Sequence, residues 1–346
     1  MTITSQAPAR VDLSGGTLDI WPLYLFHENS QTVNFAIDCY ARCRVSSKEG
    51  GRRDGRIEVV SRDLKRGETF ASFDELLRVA RAKKLKLPLP ALLIRAFAPH
   101  LNAKQGLTLE MESGVPAGSG LGGSSALNIA ICGALARFTG KKFAPGKLIE
   151  IARNVESQVL GVPAGEQDYY SAMFGGLQAI HLTPHGIEPE KLPVAADEMN
   201  ARFVLCYTGQ SRQSGINNWE VEKAYIDGRR DVVRHFARIA AIAAEMRLAL
   251  IEHDWRAVAR LAGADWAARK KAWPGITTEQ IDRLIDIAKS NGARAGKACG
   301  AGGGGCIAFL VDPEAKGRVA AALTAARAQI LPARVAPRGL QVLTEK

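Results

Sequence analysis

The 346-residue chain has few aromatic residues, no C-x-x-C pair and no long apolar run, and each absence excludes a class of protein. Its longest uncharged apolar stretch, residues 126–136, is far too short to span a bilayer, so we expect no membrane segment. The six cysteines lack metal-ligand spacing, and a chain of this size folds without disulfides. Aromatic residues make up only 6%, which argues against a base-stacking surface for nucleic acid.

Basic residues outnumber acidic ones by 46 to 35, which gives a net charge of +11. A phosphorylated small molecule or a polyanion would use this excess, and so would an ordinary solvated surface. The basic clusters match no nucleic-acid-binding motif, so we expect no nucleic-acid partner. The amino terminus shows no basic region followed by an apolar stretch, and we therefore expect a cytoplasmic protein.

The pattern of apolar residues predicts an α+β protein. Alternation over residues 31–47 and 56–61 predicts two paired strands joined by the glycine-rich, basic turn 48–55. Thr277 and Gln280 form a capping-box pattern, which predicts the start of a helix. Apolar periodicity and end signals predict further helices and strands, and these cover residues 124–139, 145–160, 201–207 (strand), 229–252, 307–311 (strand) and 312–328.

Glycine is concentrated in two short segments. Residues 114–123 hold five of the 34 glycines, and residues 296–305 hold six. The first segment connects a predicted strand to the predicted helix 124–139. Backbone N–H groups in such a loop converge with a helix N-terminus on one point, which is an arrangement that binds phosphate. A tight turn alone would need only one or two glycines, so we expect a phosphate site here.

Two other phosphate-binding patterns fail in this region. Gly118-x-Gly120-x-x-Gly123 matches the dinucleotide fingerprint, but no acidic residue lies between Glu112 and Glu150 to bind a ribose. The lysine-bearing loop is absent as well, because the nearest match, 292–297, is one residue too short. Ser124 and Ser125 can cap the helix, and one of their hydroxyl groups is a candidate Mg²⁺ ligand.

Three segments resemble the motifs of the GHMP kinases, and they occur in the order found in that family. PAGSGLGGSSA (116–126) resembles the ATP loop, APARVDLSGGTLD (7–19) the N-terminal substrate motif, and KACGAGGGGC (297–306) the C-terminal glycine motif. The resemblance implies an ATP-dependent kinase that transfers a phosphoryl group in line and directly, with ATP and Mg²⁺ as cofactors. The ATP contacts that it implies are Pro116, Gly118, Ser119, Gly120, Leu121, Gly122, Gly123, Ser124 and Ser125.

The resemblance also implies the catalytic groups. Glu156 and Ser125 would hold Mg²⁺, and Asp168 would orient or deprotonate the acceptor hydroxyl. Arg10 would lie beside Asp168, keep the pKa of that carboxyl low and stabilise the transferred phosphoryl group. Read without the resemblance, the segment Gly165–Asp168 suggests an acid on a loop beside a site, but an ordinary surface turn is the more common origin of such a pattern.

The candidate acceptor-binding residues are Gly16, Thr17, Asp19, Arg212, Gly302 and Gly303. Asp19 follows Arg10 by nine residues, as in a sugar-binding motif, although it could instead cap a following turn. Arg212 could bind a phosphate already present on the acceptor, or it could be an exposed loop residue. The second glycine segment, which ends at Gly305, is expected to close over the acceptor and the γ-phosphate.

The implied fold has an N-terminal domain like domain 2 of ribosomal protein S5 and a ferredoxin-like C-terminal domain. Composition shifts near residues 185–200, so we expect domains at 1–190 and 191–346. Within the family, the sequence resembles the branch of the anomeric sugar kinases, such as heptose 7-phosphate kinases and fucokinases. This resemblance implies that the acceptor is a sugar or a sugar phosphate. Leu18 and Gly123 depart from that branch and leave a mevalonate-pathway kinase or decarboxylase as the alternative. A catalytically inactive ligand sensor and a homodimer also stay open.

Overall fold

The computed structural model describes residues 1–47, 55–102, 106–211 and 214–345, which form two β-sheets with helices packed on them. The strands are β1 (Thr2–Ser14), β2 (Gln31–Ser46), β3 (Ile57–Ser61), β4 (Arg66–Phe70), β5 (Leu107–Glu112), β6 (Leu177–Thr183), β7 (Gly186–Lys191), β8 (Phe203–Tyr207), β9 (Ala293–Ala298), β10 (Cys306–Val311), β11 (Gln329–Leu331) and β12 (Gln341–Glu345). The α-helices are α1 (Phe73–Arg81), α2 (Pro88–Phe97), α3 (Gly123–Phe138), α4 (Pro145–Leu160), α5 (Gln167–Phe174), α6 (Ala196–Ala201), α7 (Ser214–Ile226), α8 (Arg230–Ile251), α9 (Trp255–Ala272), α10 (Glu279–Ser290) and α11 (Lys316–Ala325). Over the described ranges, none of these helices combines the length and the hydropathy that crossing a membrane requires.

The first sheet has the strand order β12-β1-β2-β5-β3-β4, and β6 and β7 extend it from the other end of β2. The predicted pairing of 31–47 with 56–61 is wrong, because β5 lies between β2 and β3 and pairs with both. Strand β5 buries Leu107, Leu109 and Met111 on the face of the sheet that packs on the core. The predicted turn falls mostly at 48–54, outside the described residues.

The second sheet has the strand order β11-β8-β10-β9 and is antiparallel throughout. In chain order this is 4-1-3-2, and α10 and α11 pack against one face of the sheet, so the predicted α+β architecture with a ferredoxin-like unit is confirmed. Strand β12 does not belong to this unit, since it pairs with β1 from Thr2 to Gln6. The chain therefore returns to the first sheet at its end, although residues 191–346 are expected to form one domain.

Helix α3 is the central helix of the first sheet and begins at the first glycine segment. Ile129, Ile131 and Leu135 are fully buried against β1 and β2. The helix is also close-packed at Gly133, where a side chain would lie 2.8 Å from Leu340. Burial on nearly every side of α3 fits the absence of acidic residues from this helix.

Helix α10 begins one residue later than the capping-box pattern predicts. The N-cap is Thr278, whose hydroxyl accepts a hydrogen bond from the backbone N–H of Ile281 at 3.2 Å. The Thr277 hydroxyl donates to Asp282 instead, and the Gln280 amide donates to the carbonyl of Thr208. Neither side chain is therefore available for the predicted reciprocal cap.

Candidate active site

The three motif segments meet at one cavity of about 410 Å³. Most of the residues predicted from the sequence line it, namely Arg10, Gly16, Thr17, Asp19, Pro116, Gly118, Ser119, Gly120, Gly122, Gly123, Ser124, Ser125, Glu156 and Asp168. Leu121, Gly302 and Gly303 are not among the lining residues, and Arg212 lies outside the described residues. The Gly300–Ala301 dipeptide lines the cavity in place of the two later glycines.

The first glycine segment forms a loop in which every second residue from Gly118 to Gly122 has a positive φ angle. Gly118, Gly120 and Gly122 have φ angles of +70°, +76° and +69°, a backbone conformation that favours glycine. Gly122 is the N-cap of α3, so the free N–H groups of the first helical turn and of the loop face the cavity. Leu121 serves this loop differently from the prediction: its side chain is fully buried, and its carbonyl accepts the backbone N–H of Arg10.

The two glycine segments pack directly against each other. A Cβ on Gly120 would lie 2.3 Å from the carbonyl oxygen of Cys299, and a Cβ on Gly305 would lie 2.5 Å from that of Ser119. The backbone N–H of Cys306 also donates to the Ser119 carbonyl at 2.8 Å. Much of the glycine excess therefore permits contact between two backbones, in addition to any contact with a ligand.

Gly302 and Gly303 turn away from the cavity because their neighbour is Ile276. A Cβ on Gly302 would lie 2.3 Å from the Ile276 side chain, and the N–H of Gly303 donates to the Ile276 carbonyl at 2.5 Å. This contact with Ile276, which precedes the start of α10 by three residues, differs from the expected closure of both glycines over an acceptor.

Arg10 and Asp168 form a buried ion pair at the centre of the cavity. Arg10 Nε and Nη2 lie 2.7 and 2.6 Å from Asp168 Oδ1, and Arg10 Nη1 donates to the carbonyl of Gly120 at 2.5 Å. Burial raises the pKa of Asp168 above its usual value, and the nearby guanidinium lowers it by less. The expectation that Arg10 keeps this pKa low is therefore wrong in its net direction, because desolvation outweighs the ion pair.

Glu156, on α4, accepts hydrogen bonds from three donors on two helices, α3 and α5. Ser125 Oγ donates to Glu156 Oε2 at 3.0 Å, Asn128 Nδ2 at 2.9 Å and the Tyr169 hydroxyl at 2.5 Å. Burial raises the pKa of Glu156, and the hydrogen bonds from Tyr169 and Ser125 act in the opposite direction. Sequence reasoning missed Asn128 and Tyr169, although an asparagine within the apolar helix 124–139 was a usable signal.

Asp19 is almost fully buried at the acceptor end of the cavity. Its Oδ1 accepts the backbone N–H of Thr17 at 3.1 Å, and its Oδ2 accepts that of Gln167 at 2.9 Å. Since Gln167 is the first residue of α5, this carboxylate caps the helix that carries Asp168, not a turn that follows it in sequence. Burial raises the pKa of Asp19 to about 7. The same contact explains Gly165, because a Cβ there would lie 2.5 Å from Asp19 Oδ2.

Behind the acceptor end lies a buried cluster of four charges, which sequence reasoning also missed. Lys297 Nζ lies 3.2 Å from Asp12 Oδ2 and 2.7 Å from Asp265 Oδ2. Arg269 Nη1 lies 3.2 Å from Asp12 Oδ2, and its Nη2 donates to the carbonyl of Gly300 at 2.7 Å. Gly16 lies against this pair, since a Cβ there would be 2.7 Å from Asp12 Oδ2. The cluster joins the N-terminal motif, α9 and the C-terminal glycine motif.

Comparisons with known proteins agree with this arrangement. The model of the GHMP kinases N terminal domain matches residues 89–176, and that of the GHMP kinases C terminal matches 246–329. The D-glycero-alpha-D-manno-heptose 7-phosphate kinase of Campylobacter jejuni is 28% identical over 91% of each chain. The mevalonate kinase of Thermococcus sibiricus is 24% identical over 99% of this chain and 98% of its own. The solved structure of a D-glycero-D-manno-heptose 1-phosphate kinase from Bacteroides thetaiotaomicron has a TM-score of 0.75 and 25% identity, and the match covers 99% of both chains.

Proposed function

Because the chain belongs to the GHMP kinases, we propose that it transfers the γ-phosphoryl group of ATP to a hydroxyl group of a sugar or sugar phosphate, with the anomeric hydroxyl as the first candidate. The observation that carries this proposal is the meeting of Asp168, Arg10 and the glycine loop at one cavity. The glycine loop would bind the phosphates of ATP, the phosphoryl donor. In the buried ion pair, the carboxylate of Asp168 would receive the proton of the acceptor hydroxyl.

The ATP phosphates would lie along the loop 116–125. Its backbone N–H groups and the N-terminus of α3 offer several donors and a positive dipole end without any side chain in the way. The cavity continues past Leu64 and Leu127, which provide apolar surface near the loop for the rest of the nucleotide.

Mg²⁺ would be held by Ser125 and Glu156. Their hydroxyl and carboxylate groups are oxygen donors, which this ion prefers, and both residues line the cavity. Over the described parts of the chain, no cluster of three or more His, Cys, Asp or Glu side chains could hold a metal ion, which fits an ion that is bound largely by the phosphates of its nucleotide. When bound, the ion would neutralise charge on those phosphates.

Asp168 is the proposed base. The acceptor O–H bond would break as its proton passes to an Asp168 oxygen, while the acceptor oxygen attacks the γ-phosphorus and the bond to ADP breaks. A carboxyl whose pKa is raised by burial is a better proton acceptor than a solvated one. Arg10, within 2.7 Å of this carboxyl, would counter the negative charge that spreads over the transferred group.

The acceptor would lie between Asp168 and the Gly16–Asp19 segment. Thr17 and Asp19 offer polar groups there, and Gly16 also lines this part of the cavity. We propose Arg212, Gly302 and Gly303 as further contributors to acceptor binding, and small molecules, not nucleic acids, as the partners.

A coupled assay of ADP release with purified protein tests the proposal. The acceptors are a panel of hexoses, hexose phosphates, D-glycero-D-manno-heptose 7-phosphate and mevalonate. Turnover of at least one sugar supports the proposal. Turnover of mevalonate alone would establish the alternative within the family, and ATP binding without turnover of any acceptor would favour an inactive ligand sensor.

A further inference from the structure

The acceptor segment contains a turn whose third residue has an unfavourable backbone conformation. The turn comprises Gly15, Gly16, Thr17 and Leu18, and the backbone N–H of Leu18 closes it by donating to the Gly15 carbonyl at 3.2 Å. Thr17 has a φ angle of +78°. A positive φ at the third residue is typical of a type II turn, which favours glycine or asparagine there. For a β-branched residue such as threonine, this conformation is strained.

Two carboxylates hold the turn on either side of Thr17. Asp265 Oδ1, on α9, accepts the backbone N–H of Gly15 at 3.2 Å and the hydroxyl of Ser14 at 3.1 Å. Asp19 Oδ1 accepts the backbone N–H of Thr17 itself at 3.1 Å. Both carboxylates are almost fully buried, so water does not compete for these hydrogen bonds. The strained turn is therefore fixed by a helix far away in sequence as well as by its own segment.

The side chain of Thr17 lies at the acceptor end of the cavity, beside Gly16 and Asp19. Arg269 Nη2 lies 3.5 Å from Thr17 Oγ1, and this cation favours an orientation in which the oxygen faces the guanidinium. The hydroxyl proton is then directed away from Arg269, where it can be donated to an oxygen atom of the acceptor.

From these observations we infer that Thr17 is a specificity-determining residue that binds one hydroxyl group of the acceptor, and that Asp265 and Ser14 are positioning residues that hold it in its strained conformation. A turn required only for structure would be more stable with glycine at this position, because glycine adopts a positive φ without strain. Glycine would, however, offer no hydroxyl to the acceptor. The inference rests on the proposed kinase function and adds that Thr17 lowers the stability of the protein while it strengthens acceptor binding.

Thr17→Gly tests the inference through stability and kinetics together. We expect the melting temperature to rise by about 1–3 °C, because the strain is removed. We expect kcat/KM for the best sugar acceptor to fall about five- to tenfold, the effect of losing one hydrogen bond, with a much smaller change in the KM for ATP. A lower melting temperature or an unchanged kcat/KM for the sugar would overturn the inference and leave the proposed function intact. No turnover of any sugar by the wild type would overturn both.

Monodeoxy analogues of the same sugar test for direct contact. For the analogue that lacks the hydroxyl bound by Thr17, the wild type and Thr17→Gly should have equal kcat/KM values. For every other analogue, the variant should remain below the wild type by the same factor as with the parent sugar. A loss of equal size for all analogues would contradict a hydrogen bond between Thr17 and the acceptor.

Arg327→Gly is the matched control for stability. Arg327 also has a positive φ, +68°, but it is exposed just after the end of α11 and is not among the described residues that line the cavity. Glycine is common at this position of a helix end, so the control should also become more stable. Its kcat/KM for the sugar should stay at the wild-type value. An equal loss of kcat/KM in the control and in Thr17→Gly would contradict the role of the Thr17 side chain.

A second matched pair tests the positioning role of the Asp265 contact. Ser14→Ala removes a buried hydroxyl that donates to Asp265, and Ser5→Ala removes a buried hydroxyl of the same strand that donates to the Ala130 carbonyl at 2.6 Å. Because a loosened turn lets Thr17 leave its strained conformation, Ser14→Ala should raise the KM for the sugar several-fold, and Ser5→Ala should leave it unchanged. In the Thr17→Gly background, the effect of Ser14→Ala should disappear. An effect that persisted there would contradict the positioning role.

Discussion

The contact between the two glycine segments predicts that Gly120→Ala damages the protein more than its backbone angle alone would. Gly120 has a φ of +76°, and for an alanine that conformation costs roughly 1–2 kcal/mol. The added Cβ would also lie 2.3 Å from the Cys299 carbonyl oxygen, a backbone atom that cannot rotate away. Forcing an atom into such a close-packed place costs about 1–3 kcal/mol more. We therefore expect a loss of roughly 2–5 kcal/mol in the free energy of unfolding, together with weaker ATP binding.

Gly140→Ala is the matched control for this prediction. Gly140 has a φ of +68°, nearly the same as Gly120, but nothing lies within 4 Å of the position of its Cβ. The control should therefore lose only the cost of the backbone angle and should bind ATP as the wild type does. Urea unfolding gives the free energies, and titration with a fluorescent ATP analogue gives the affinities. Equal destabilisation of the two variants, with unchanged affinity in both, would refute the claim that glycine is required by the contact between the segments.

Three further predictions concern the carboxyl groups of the site. Asp168→Asn should lower kcat by about 10²–10⁴ while ATP affinity changes little. In the wild type, kcat/KM should fall on the acid side at a pH above the ordinary aspartate range, because burial raises the pKa of Asp168 and only its ionised form accepts a proton. Steady-state kinetics from pH 5 to 9 measure both effects, and an acid limb that persisted in the variant would contradict them. Tyr169→Phe removes one of three hydrogen-bond donors to Glu156 and should raise the Mg²⁺ concentration needed for the half-maximal rate. The free energy of unfolding should fall by about 1–3 kcal/mol. An unchanged Mg²⁺ dependence would argue against Glu156 as a Mg²⁺ ligand. Burial raises the pKa of Asp19 to about 7, so this residue contributes stability that is fully present below its unfolded pKa near 4 and is lost as the pH rises through 7. In urea unfolding, the stability of Asp19→Asn relative to the wild type should therefore improve from pH 5 to pH 8. A difference in stability that did not change with pH would argue against the raised pKa.

Sequence reasoning located the site because its signals were local. The clustering of glycines before a predicted helix identifies the loop 116–125. Arg10, Glu156 and Asp168 lie in or near segments that resemble motifs of the GHMP kinases. Other features depend on which strands become neighbours. The pairing of 31–47 with 56–61 is reasonable for adjacent segments, but a later strand, β5, fits between them. The carboxyl-terminal strand β12 pairs with β1 across nearly the whole chain, and no local signal indicates that.

The direction in which the pKa of Asp168 is shifted is a second property that the sequence alone did not predict correctly. A motif indicates that Arg10 and Asp168 are neighbours, and an ion pair by itself lowers a carboxyl pKa. The depth of the pair below the surface depends on how the glycine segments close around it, and that closure is a tertiary contact. The dominant effect, desolvation, is therefore invisible until the fold is known.

The buried charge cluster holds the N-terminal motif and the C-terminal glycine motif together. Asp12 lies in the N-terminal motif and Lys297 begins the C-terminal one, and their side chains meet 3.2 Å apart with almost no exposure to solvent. Removing one partner would leave a buried, uncompensated charge, which costs about 3–5 kcal/mol in other proteins. Arg269 extends the same cluster to Gly300, whose own backbone contacts Gly120 of the first glycine segment. The acceptor segment, the phosphate loop and the second glycine segment are thus parts of one packed unit, so a change in any of them should alter the binding of both substrates.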